Sequence, residues 1–72
     1  MPKKANPDFT QAQAARWIAQ EAAKITTPAD AAKRIATEEQ TMALCAQMGM
    51  DKTMPVSTQA HRDLISLLRA AF

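Results

Sequence analysis

The sequence has one cysteine, one histidine, one glycine and no tyrosine, and its only aromatic residues are Phe9, Trp17 and Phe72. Each scarcity closes off a class of protein. A single cysteine forms no internal disulfide, and one cysteine with one histidine falls short of the three or four ligands of a zinc site. An unpaired thiol suits a reducing compartment. So few aromatics, none interleaved with basic residues, offer no stacking platform for single-stranded nucleic acid. No apolar run approaches the roughly 20 residues of a membrane span or the core of a secretory signal peptide, so neither is expected. A soluble, cytoplasmic chain with no membrane contact is expected.

Catalytic patterns are missing as well. Asp30, Glu38, Glu39, Asp51 and Asp63 match neither a calcium loop nor a paired-carboxylate arrangement. His61 has no acid, serine or cysteine beside it in sequence. Cys45 has no cation or positive helix end near it to lower its pKa, so it reads as an inert buried thiol. No catalytic residue, cofactor-binding residue or metal ligand is assigned, and an enzyme is not expected. Charge is equally reserved: 9 Lys and Arg against 7 Asp and Glu give a net charge of +2. That permits contact with nucleic acid without arguing for it.

Alanine dominates what remains, and with a single glycine, no tyrosine and three aromatics helix propensity is high and sheet propensity poor. The fold class expected is all-α, a small three-helix bundle with a flexible N-terminal tail, and at 72 residues its stability is marginal without a staple or a partner, so dimerisation could complete it. Residues 1–8, "MPKKANPD", show no apolar period and read as the tail; 9–72 form the single helical domain. Thr10 with Gln13 matches a capping box, and Ala14, Trp17, Ile18, Ala22 and Ile25 form one stripe of a helix near 10–25. Trp17 is expected to be the main core anchor. "TTPAD" starts a second helix, with Thr27 as N-cap, Pro28 at the first position and Asp30 at the third. That helix should end at Gly49, which suits a left-handed position after it. Pro55 then discourages helix at Met54, so Ser57 or Thr58 should cap a third helix near 58–71, with His61, Leu64, Ile65, Leu68 and Phe72 inward.

The second helix carries the odd positions. Ala31, Ile35, Met42, Cys45 and Ala46 share one arc at 100° per residue, and Glu38 falls in its middle. The carboxylate either pairs with Arg34 one turn back or makes a charge contact with another helix or subunit. Leu44 and Met48 point to the opposite side, and Met42, Met48, Met50 and Met54 cluster at one end, as methionines do at surfaces that accept partners. These features lead to the functional expectation: a non-enzymatic protein-binding module, of the kind found among accessory proteins and inhibitors of phages and plasmids, that occupies a surface of a larger host macromolecule. Glu38, Leu44, Met48, Met50, Met54, Leu67 and Phe72 would meet a protein partner, and a homodimer would cover the surplus apolar surface.

The alternative is a DNA-binding regulator. "DAAKRIATEEQTMALC", residues 30–45, resembles a helix-turn-helix in its spacing of Ala32, Ile35, Met42 and Cys45, and Lys33, Arg34, Arg62 and Arg69 would contact phosphates. Ala36 stands where glycine is usual, Thr37 where an apolar residue is usual, and Glu38 with Glu39 would repel the backbone. The protein-binding expectation therefore ranks first.

Overall fold

The structure, a computed structural model, describes residues 8–72. Four helices follow one another: α1 (Gln11–Ala23), α2 (Pro28–Gln47), a single turn α3 (Met50–Thr53) and α4 (Pro55–Ala71). No strand occurs among the described residues. The all-α bundle expected from composition is the fold, with α1, α2 and α4 as its three long members. The tail expected over 1–8 lies outside the described residues except for Asp8.

Local chemistry explains the first two starts. The Thr10 hydroxyl accepts from the Gln13 amide at 3.1 Å while the Gln13 side chain accepts from the Thr10 amide at 2.9 Å, a complete capping box. Thr27 caps α2 by accepting from the Asp30 amide at 3.1 Å, with Pro28 in the first turn. Gly49 ends α2 with φ +74°, the left-handed conformation that closes helices after the last turn.

The start of α4 departs from the sequence expectation. Pro55 opens it, earlier than Ser57 or Thr58, and Met54 before it supplies no side-chain cap. The Thr58 hydroxyl points back inside the helix and donates to the Met54 carbonyl at 2.8 Å. Its place as a cap is taken by Asp8, which arrives from the other end of the chain and accepts from Val56 and Ser57.

Direction follows from the pairings. Asp8 meets the start of α4, the Trp17 ring lies beside His61, and Ile25 clusters with Leu64 and Leu68, so α1 and α4 run parallel. Glu38 pairs with His61 and Ala31 clusters with Leu68, so α2 runs antiparallel to both. No Cα of α1 comes within 8 Å of one in α2. Helix α4 is the common partner. Its Leu64 and Leu68 are the largest fully buried side chains, packed with Ile25 and Ala31 and flanked by Trp17, Ile18, Ala22 and Ile35. Trp17 is a correction: it is half-buried at the edge of this cluster, and the anchor is the Leu64 and Leu68 pair. Its ring contacts His61 at a centroid distance of 4.6 Å and Phe9 at 6.4 Å, which places it between the polar centre and the entry to α1.

Candidate functional site

Two features stand apart from an ordinary apolar bundle, one buried and one exposed. The buried one begins at Glu38, whose residue is 4% exposed in the middle of α2's inward arc. Its Oε2 accepts from Arg34 Nε at 2.8 Å, and its Oε1 accepts from His61 Nδ1 across the interface with α4. Arg34 also donates from Nη2 to Glu21 of α1 at 2.8 Å. Glu21 in turn accepts from Lys24 at 2.8 Å. One chain of charge therefore joins all three long helices, and no buried side-chain polar atom among the described residues lacks a partner.

The electrostatics follow from these contacts. Burial pushes the Glu38 carboxyl up, but the hydrogen bonds and charges of His61 and Arg34 outweigh it and leave the group below its usual value. Lys24 and then Arg34 hold Glu21 down as well. The Glu38 hydrogen bond, aided by Glu21, raises Arg34 above its ordinary value. An ionised Glu38 only accepts, so the hydrogen between it and His61 belongs to Nδ1.

Both contacts considered for Glu38 are thus present at once, the one to Arg34 and the one to another helix. Its side chain is turned inward, however, which removes Glu38 from any docking surface. Glu21 escaped the sequence reading because nothing local marks it. Glu38 and His61 were both visible as polar residues on apolar arcs, and their opposite character was the signal that could have paired them.

The exposed feature is apolar. Leu44 is 55% and Met48 65% exposed, one turn apart on the side of α2 away from α4, while Met50 and Met54 nearby are half-buried. Leu67 and Phe72 are 42% and 48% exposed. These two pairs do not form one surface. Because α2 and α4 are antiparallel, Leu67 and Phe72 lie near the Ala31 level of α2, and Leu44 and Met48 are 13 and 17 residues further along, about 20 to 25 Å at 1.5 Å per residue.

The four basic residues of the DNA reading are also scattered in their roles. Arg34 is committed to Glu38 and Glu21, and Arg69 pairs with Glu39 on the surface. Lys33 and Arg62 are exposed. The helix-turn-helix geometry itself is not formed: α2 is continuous through Ala36, since alanine sustains a helix where the motif needs a turn.

Among the described residues no three His, Cys, Asp or Glu side chains are placed to hold a metal ion, and no helix is long and apolar enough to cross a membrane. Cys45 is buried, and the described residues enclose no pocket. At the start of α4, Asp8 Oδ2 accepts from the Val56 amide at 2.7 Å, and Oδ1 accepts from Ser57 and Phe9 at 2.8 Å each. Desolvation pushes that carboxyl up, and the three N–H groups more than offset it, leaving it below its usual value. Comparison with protein-family profiles, with curated proteins and with solved structures gives no match.

Proposed function

We propose that this chain is a non-enzymatic protein-binding module, an accessory or inhibitory protein that docks on a larger macromolecule through the C-terminal end of α2. One observation carries the reading. From Gln40 to Met50 there is no charged residue, and Leu44 and Met48 stand more than half exposed within that stretch. A solvent-facing helical turn normally carries charge. Charged residues are depleted at the centres of protein interfaces, where methionine is enriched. Met50 and Met54 extend the same end with side chains that adapt to a partner's shape. Glu39 flanks the uncharged stretch on one side and Asp51 with Lys52 on the other, as a polar rim would.

Leu67 and Phe72, at the opposite end of the molecule, form a separate surface in this reading, and Glu38 has no part in it. The test is site-specific photo-crosslinking. A photoreactive amino acid at position 48 is expected to give a discrete adduct in the source cells, one at Arg16 is expected to give none, and Leu44→Ser should abolish the first adduct without reducing helix content. An adduct of twice 7.9 kDa would make the partner a second copy. Equal labelling from positions 48 and 16 would reject the docking site.

A further inference from the structure

The first turn of α4 is held by a residue from the far side of the sequence. Pro55 has no N–H, so Val56 and Ser57 present the first donors that need a partner. Met54, at φ −135° and ψ 64°, offers no side-chain cap. Both amides donate to Asp8, 48 and 49 residues upstream. The carboxylate sits where the N-termini of two parallel helices, α1 and α4, come together, and its negative charge suits both positive ends.

The segment just before this turn has the weakest support in the bundle. Helix α3 has four residues, none of them buried, and it is entered through the left-handed Gly49. Its fastening to α4 runs through Thr58, whose hydroxyl donates to the Met54 carbonyl at 2.8 Å and approaches that of Met50 at 3.4 Å, and whose amide donates to Met54 at 3.0 Å. Met50 and Met54 are both half-buried there.

We infer that Asp8, just ahead of the capping box of α1, is a detachable strap that controls the exposure of Met50 and Met54. With the carboxylate on Val56 and Ser57, the first turn of α4 is closed and α3 is held against it. With the carboxylate withdrawn, two donors lose their partners and the turn opens to let water satisfy them. Met54 is the acceptor for both Thr58 bonds, so the opening carries into α3 and bares both thioethers. It stops before Leu64 and Leu68, whose burial gives that part of α4 a higher opening energy. A cap within the same loop would re-form with the turn. One from another element is available for capture by whatever engages the start of α1. This holds whether or not a partner docks at Leu44 and Met48.

The experiment uses the full chain and dilute peroxide, which converts solvent-exposed methionine to the sulfoxide. Oxidation at each methionine is followed by mass spectrometry, together with native-state exchange of the Val56 and Ser57 amides. Asp8→Ala is expected to speed oxidation of Met50 and Met54, and exchange of both amides, by roughly five- to tenfold, the scale of a lost side-chain cap. Asp8→Asn, which keeps one acceptor oxygen, should fall between. Met48, already exposed, and Met42, half-buried in α2, should keep their wild-type rates. Wild-type rates at Met50 and Met54 in Asp8→Ala would overturn the strap. So would a parallel acceleration at Met42, which would make Asp8 a general stabiliser of the bundle.

Discussion

Glu38 shows how a single residue can be costly alone and stabilising in company. Removing a carboxylate from water costs several kcal/mol, and its partners repay this only where both oxygens are engaged. Here Arg34 and His61 take one oxygen each. The substitution Glu38→Met should therefore destabilise the fold by about 3 kcal/mol, because it strands two donors in a desolvated site. Replacing His61 by Leu in the same chain should recover more than half of that loss, since Arg34 keeps Glu21. Urea unfolding of the two single variants and the double variant closes the cycle; additive losses would show that Glu38 and His61 are not coupled. At this scale the odd position was legible and its partner was not. Periodicity says which arc a residue occupies, but across the 23 positions that separate Glu38 from His61 it does not say which helix faces that arc; their opposite character was the one hint.

Among the elements, legibility depended on whether the controlling group was local. The starts of α1 and α2 are written in four consecutive residues each, and both are formed as read. The start of α4 is not, because its cap lies in another element, so Ser57 and Thr58 drew the expectation to the wrong turn. Gly49 is the other local signal. An added Cβ there would meet nothing within 4 Å, so the cost of Gly49→Ala is purely that of a left-handed backbone, about 1 kcal/mol. Asn, which tolerates that region better, should cost less. Thermal melts of the two variants check this; equal midpoints for wild type and Gly49→Ala would mean that α2 and α3 can join differently. The continuity of α2 through Ala36 has the same kind of explanation, since a motif resemblance over 30–45 cannot override a residue that favours helix.

For the molecule as a whole, besides the surface pair of Glu39 and Arg69, three carboxyl groups tie separate elements together: Glu21 and Glu38 through Arg34, and Asp8 at α4. All three are held below their unfolded values in the folded state. Each adds stability that is fully present above its unfolded pKa and is lost as pH falls through the folded one. Thermal midpoints should accordingly stay level near neutrality and decline below about pH 5. Glu38→Gln should start lower and fall less steeply. A wild-type profile that rises on acidification would contradict the assigned ion pairs. The exposed apolar residues were legible in part: Leu44 and Met48 fall off the inward arc of α2 and stand in water, whereas Phe72, placed by its spacing on the inward stripe of α4, is 48% exposed. The separation of the two pairs to opposite ends was not legible, because it depends on the antiparallel course of α2 and α4.

The central place of α4 has a consequence for how the chain matures on the ribosome. Helices α1 and α2 are synthesised first, yet no Cα of one lies within 8 Å of a Cα of the other, and the apolar stripes of both face a helix that does not yet exist. A nascent chain lacking α4 is without Leu64 and Leu68, the largest fully buried side chains of the core. The bundle therefore cannot close before α4 is made: that helix supplies Leu64 and Leu68 to the core, and through Val56 and Ser57 it binds a carboxylate synthesised well before it.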